Sequence, residues 1–273
     1  MAHGKLGGDL HQQRGTAENF GLDAARYDRT RPRYPDGLVT RVVRECPGRE
    51  LLNVGAGTGI EARQFQAAGC TVLGVEPDPR MAEFARTHGT ETEIARFEEW
   101  DAADRRFDGL VSGQAWHWVD PVAGAAKAAS VLRPAGRFAA FWNVAEPPAE
   151  IREAFRKIYD EVVPDALAAR AYRTPAPPSP HTTSESPLLT KTVEGIRRTD
   201  GFGEPEQWRF AWRHVYSTDA WLDQLPTQGD HGQFEPGKLE RVLTEVGAAI
   251  DARGGSFEMR YTAVAVTATR SVL

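Results

Sequence analysis

From residue 51 onward, short apolar runs alternate with stretches whose apolar positions recur every three to four residues, the pattern of a βαβ series. Leu51 to Val54 is the first apolar run, residues 60–68 read as helical, and Thr71 to Val75 is apolar again. Ahead of them a helix is predicted from Pro35 to Arg44, with Leu38, Val42 and Val43 on one side and Pro47-Gly48 at its end. The next crossover helix carries its own start and stop signals: Asp78 suits the N-cap, Pro79 the first helical position, and Gly89 the residue past the end. Its Met81, Phe84 and Ala85 face inward. Further strands are predicted at Glu93 to Arg96, Phe107 to Ser112 and Arg137 to Trp142, with a helix from Val122 to Leu132 stopped by Pro134-Ala135-Gly136.

After the fifth strand a helix is expected from Glu150 to Val163. The stretch from Pro164 to Leu189 then sets Pro175, Pro177, Pro178, Pro180 and Pro187 among Ser and Thr, which predicts a mobile insertion without regular elements. Order returns with an extended segment from Gln207 to Tyr216 and a short helix from Thr218 to Leu225. An amphipathic helix follows with Leu239, Val242, Leu243, Val246 and Ile250 on one face, and then a last strand from Phe257 to Thr269. The fold class is α/β: a Rossmann-like, seven-stranded, mostly parallel sheet with an antiparallel last strand, helices on both faces and a lid insertion after the fifth strand. Residues 1–34 are expected to be a mobile segment closing over the site, the first 19 being rich in Gly, Gln and His without periodicity. Residues 35–273 form the main domain, with the lid at about 150–206.

Composition narrows the function classes. The 273 residues are 41% hydrophobic and 26% charged, ordinary globular values with ample material for a core. A formal net charge of −5 gives no field that would gather a nucleic-acid backbone or an anionic membrane, so neither is expected as a partner. Cys46 and Cys70 lack metal-ligand spacing, no metal site is expected, and no apolar run of spanning length occurs. The expected home is a reducing cytoplasm.

The strongest chemical signal is Val54-Gly55-Ala56-Gly57-Thr58-Gly59 between a strand and a helix. Glycines in such a turn accept unusual dihedrals and let a ligand touch the backbone, so the loop predicts a cradle for an adenosine-bearing cofactor. Glu76 follows the next strand at the spacing of an acid that accepts both ribose hydroxyls. A dinucleotide loop reads G-x-G-x-x-G, whereas here Gly55, Gly57 and Gly59 give G-x-G-x-G with Ile60 at the third dinucleotide glycine. That spacing argues against NAD, and the absence of a Gly-Lys-Ser/Thr ending argues against a nucleotide triphosphate.

Taken with Gly74-Val75-Glu76-Pro77-Asp78, with Phe107 to Trp118, and with Leu132-Arg133-Pro134-Ala135-Gly136-Arg137, the loop resembles the class I S-adenosylmethionine-dependent methyltransferases of the methyltransferase domain 11 type. The resemblance covers about Tyr27 to Asn143 and implies S-adenosyl-L-methionine as cofactor and S-adenosyl-L-homocysteine as product. It implies that Gly55, Ala56, Gly57 and Gly59 line the cofactor, that Glu76 takes the ribose, with Pro77 and Met81 beside it, and that Phe97 and Glu98 meet adenine. Gln114 is implied beside the methionine portion, with Tyr27 and Arg31 in the entry segment that closes over it. Asn53 stands where many relatives carry Asp, a neutral amide in place of an acid.

In open α/β sheets ligands sit at the carboxyl ends of the strands, so Trp116, His117 and Trp118 after the fourth strand are expected to face the acceptor. The aromatics suit a flat or apolar molecule or the sulfonium itself. His117 is the candidate general base, because imidazole titrates near neutrality. Trp142, Asn143, Tyr172 and His231 are further candidate acceptor contacts. The expected activity is O- or N-methylation of a small metabolite. The alternatives are a cofactor-binding or interaction protein without turnover, and methylation of a macromolecule.

Overall fold

The computed structural model describes residues 21–173 and 186–272. The strands are β1 (Glu50–Val54), β2 (Thr71–Glu76), β3 (Glu91–Ile94), β4 (Phe107–Gly113), β5 (Leu132–Glu146), β6 (Glu206–Ser217) and β7 (Ser256–Thr269). The helices are α1 (Ala24–Thr30), α2 (Asp36–Glu45), α3 (Ile60–Ala67), α4 (Pro79–Thr87), α5 (Pro121–Val131), α6 (Ala149–Val162), α7 (Leu167–Arg173), α8 (Pro187–Arg197), α9 (Thr218–Gln224) and α10 (Pro236–Asp251). All seven strands join one sheet in the order β3-β2-β1-β4-β5-β7-β6. Six strands point one way, and β7 runs antiparallel between β5 and β6. From β1 the chain first builds outward through β2 and β3, then returns to lay β4 on the other side of β1. The crevice between the ends of β1 and β4 is therefore the switch point where such sheets bind ligands.

Alternation along the central strands feeds two cores. Leu52, Val54, Leu110, Phe138 and Val264 face α5 and α8, while Leu51, Val111, Ala139, Phe141 and Ala265 face α2 and α3. Burial on both faces is why β4 is inaccessible along its whole length and reads as an apolar run. A third core packs Phe155, Tyr159, Trp221, Val246 and Ile250 of α6, α9 and α10 against Tyr216, Phe257 and Tyr261 at the far end of β6 and β7.

Four expectations change. The stretch from Pro164 to Leu189 is not structureless where described: α7 buries Ala169 and α8 buries Leu189 and Ile196, and those tertiary contacts outweigh the proline-rich composition. Pro175, Pro177, Pro178 and Pro180 lie outside the described residues. β3 begins two residues earlier than predicted, with Glu91 paired to Leu73. β5 is longer than predicted: Pro134-Ala135-Gly136 does not precede the strand but forms an irregularity inside it, where Ala135 takes φ +62° and the pairing with β4 slips between Phe107 and Gly109. The segment expected at 1–34 contains α1, joined to α9 by Arg26 and Arg29 on Asp223 at 3.0 and 2.9 Å and to α3 by Arg63 on Asp28 at 2.5 Å. Residues 1–20 lie outside the described residues.

Candidate functional site

The loop after β1 is pulled toward β2 by two hydrogen bonds, from the N–H groups of Gly55 and Ala56 to the carbonyl of Val75 at 2.8 and 3.2 Å. Gly55 has φ +67°, and a Cβ there would come within 2.4 Å of the Ala115 Cβ, so only glycine lets the loops after β1 and β4 approach this closely. Gly57 has φ +55° and nothing within 4 Å of where its Cβ would be, because it borders open space. Its N–H donates to Glu76 Oε2 at 2.8 Å, and the Asp78 N–H donates to Glu76 Oε1 at 2.9 Å. Burial pushes the Glu76 carboxyl up to about 7, against the pull of these two bonds.

These groups border a cleft of about 500 Å³ at the switch point. Of the residues the sequence singles out, Tyr27, Gly55, Gly57, Glu76, Pro77, Met81, Phe97, Glu98, Gln114 and Trp118 line it. Glu98 Oε1 accepts from the Asp120 N–H at 3.0 Å, which ties the loop after β3 to the start of α5. Gln114 holds φ +56°, a left-handed conformation uncommon outside glycine, and its N–H donates to the Phe141 carbonyl at 2.8 Å. Asp78, Arg80, Ala95, Arg96 and Val119 line the cleft too, although the sequence marked only Asp78, as a helix cap. That cap forms: Asp78 accepts from the Arg80 N–H at 2.9 Å.

The other candidates stand apart from the cleft wall. Arg31 stacks over the Tyr27 ring at 4.8 Å and donates to the Thr227 carbonyl. Asn53 is fully buried under the loop, Ala56 is buried beside Gly74, and Gly59 caps α3 at φ +83°. Trp116 is core, packed on Phe138 at 4.7 Å and Phe97 at 5.9 Å. Trp142 donates through Nε1 to His117 Nδ1 at 3.2 Å. Asn143 accepts from Trp212 Nε1 at 3.1 Å and donates to the Arg33 carbonyl at 3.2 Å, fastening the N-terminal segment to the sheet. Tyr172 packs on Phe155 and Tyr159 in the third core, and His231 lies there too, its Nε2 on the Tyr159 hydroxyl at 2.5 Å and its Nδ1 on the Gln228 carbonyl at 2.7 Å.

Residues 52–140, the segment that builds this cleft, match the family model of the methyltransferase domain. That segment is similar to the methyltransferase domain. An uncharacterized methyltransferase of Mycobacterium tuberculosis is 35% identical over 127 residues, 46% of this chain and 52% of that protein. A probable S-adenosylmethionine-dependent methyltransferase of Saccharomyces cerevisiae is 27% identical over 140 residues, 47% of this chain and 48% of that one. The chain thus spans about half the length of the curated relatives it matches. A structure described as a type II methyltransferase from Anaeromyxobacter dehalogenans covers 88% of this chain and 97% of its own, with TM-score 0.63 at 20% identity, which extends the likeness of fold beyond the matched segment.

Within this methyltransferase domain the donor set is specific. Backbone groups of the loop and the buried carboxylates of Glu76 and Asp78 border the cleft, and no cluster of three or more His, Cys, Asp or Glu suited to a metal occurs among the described residues. No described helix is long and apolar enough to cross a membrane. His117 is the one candidate whose chemistry the geometry restricts. Because its Nδ1 accepts the Trp142 proton, the neutral ring carries its own proton on Nε2, and no ring lone pair is left to take another. Burial pushes its pKa down to about 4.

Proposed function

We propose that this protein transfers a methyl group from S-adenosyl-L-methionine to an O or N atom of a small-molecule acceptor. The observation that carries the proposal is the pairing of Gly57 and Glu76 on the cleft wall: open space over a glycine that has no Cβ, and beside it a buried carboxylate already fixed by two N–H donors. A nucleoside fits that cradle, since each carboxylate oxygen keeps a lone pair for a ribose hydroxyl. Phe97, Met81 and Val119 offer apolar surface to a flat base, and Tyr27 and Gln114 add polar groups to the lining. The sulfonium supplies an electrophilic methyl group whose thioether leaving group needs no protonation.

What remains for the chain is alignment and exclusion of water. Gly55 brings the loops after β1 and β4 together, Gln114 and Trp118 border the cleft beside them, and α1 adds Tyr27 to its lining. The Trp142 hydrogen bond leaves His117 a positioning group for the loop after β4, which favours acceptors whose nucleophilic atom needs no base. The test is turnover: the protein is incubated with methyl-labelled S-adenosyl-L-methionine and a metabolite extract, and labelled products are identified by mass spectrometry. A labelled small molecule supports the proposal. Label confined to protein or nucleic acid, or none at all while the cofactor binds, contradicts it.

A further inference from the structure

One buried acid is not used above. Glu61 lies in the first turn of α3, 5% exposed, and its Oε1 accepts from Asn53 Nδ2 at 3.0 Å and from the Gly113 N–H at 3.0 Å. Among the described residues no cation pairs with it. Burying a carboxylate without a counter-charge is costly, and nothing in the packing requires one here. Asn53 adds to the imbalance: its Oδ1 is buried without a hydrogen-bond partner, a second acceptor in the same place. Gly113 lines the cleft together with Gly55, Gln114 and Tyr27. An acid without a cationic partner therefore stands directly behind the Gly113 wall of the cleft.

We infer that Glu61, held by the Asn53 amide and the Gly113 N–H, is the counter-charge for the ammonium at the amino-acid end of the bound cofactor; this rests on the proposed function above. Seen this way, Asn53 is not a lost acid but the partner of a relocated one. An Asp at 53 would put two carboxylates within hydrogen-bond distance of each other, whereas the amide donates to Glu61 and fixes it. The other titratable groups facing Glu61 are the phenols of Tyr27 and Tyr34, raised first by burial and then by its charge, and Glu76 across the loop. Arg31 is the guanidinium on this side, stacked on the Tyr27 ring. Burial holds the Glu61 carboxyl up at about 7, so an arriving ammonium would drive a proton off it near neutrality.

The test compares S-adenosyl-L-homocysteine, which carries the ammonium, with 5′-methylthioadenosine, which keeps the nucleoside and lacks the amino-acid end. Both are titrated calorimetrically into wild type and Glu61→Gln, with thermal unfolding of each protein measured alongside. Loss of about tenfold or more in affinity for S-adenosyl-L-homocysteine, with 5′-methylthioadenosine changed by less than about twofold, supports the inference. Equal losses for both ligands, or none, overturn it. A second readout needs no variant: titrations of wild type at pH 7 in buffers of different ionisation enthalpy count protons released on binding. Glu76 meets the ribose common to both ligands and cancels in the comparison. Greater release with S-adenosyl-L-homocysteine is expected, and equal release overturns the inference even if Glu61→Gln fails to fold. Failure of wild type to bind either ligand would instead bring down the proposed function, and the inference with it.

Discussion

Replacing Gly55 by Ala tests the contact between the loops after β1 and β4 without any ligand. The added Cβ would meet the Ala115 Cβ at 2.4 Å, more than an ångström inside ordinary contact, and φ +67° is a left-handed conformation. The backbone term is about 1 kcal/mol, and forcing one methyl group into a packed site adds about 1–3 kcal/mol. The expected loss is thus about 2–4 kcal/mol, or about 4–16 °C in Tm for a chain of this size. Urea and thermal unfolding of Gly55→Ala, Ala115→Gly and the double variant measure it. Because the steric part involves Ala115 and the dihedral part does not, the double variant should recover the former and keep a deficit of about 1 kcal/mol. Gly55→Ala within about 0.5 kcal/mol of wild type, or no recovery in the double variant, would refute the close approach.

Glu76→Ala should weaken nucleoside binding by about 1–3 kcal/mol, with a smaller effect on stability, because it removes a charged acceptor; calorimetric affinity within twofold of wild type would place the ribose elsewhere. His117→Asn should keep turnover within about tenfold of wild type, and a loss of about 10²-fold or more would return the ring to the role of base. For pH, Glu61 and Glu76 rise from 4.5 to about 7, so between those values the fold holds more protons than the unfolded chain and their contribution to stability is lost as pH rises. His117 falls from 6.5 to about 4, so the fold holds fewer protons there and loses stability as pH falls. These slopes oppose each other in wild type. Unfolding midpoints should therefore show Glu76→Gln gaining on wild type from pH 5 to pH 8, and His117→Asn gaining on it from pH 7 to pH 4; flat differences would contradict the burial of either group.

Much of the frame was legible because its signals are local. β1, β2 and β4 are buried on both faces and so read as apolar runs, while Asp78-Pro79 and Gly89 mark the ends of α4 by their own backbone chemistry. The glycine loop and Glu76 were legible for the same reason: each sits at the end of a strand, and the sheet order brings those ends together. What escaped depends on partners distant in sequence. α8 is held by Leu189 and Ile196 entering the core beneath α5, a contact its proline-rich surroundings do not announce. β5 runs through Pro134-Ala135-Gly136 because β4 and β7 pair on either side of it. β3 has one fully buried residue, Thr92, and so almost no apolar pattern to align. Tyr172 and His231 look like contact residues in the sequence, yet the fold packs both against Tyr159. Nothing in the sequence sets Glu61 apart from other helix charges; the positions of Asn53 and Gly113 single it out.

The central claim is that the cleft bordered by the glycine loop and Glu76 holds the nucleoside of S-adenosyl-L-methionine. A crystal structure of the protein grown with S-adenosyl-L-homocysteine tests it most directly. The account predicts the ribose hydroxyls on the Glu76 carboxylate at about 2.7 Å, the adenine beside Phe97 and the amino-acid end toward Gly113. A nucleoside bound with its ribose away from Glu76, or a cleft left empty at saturating ligand, would contradict it.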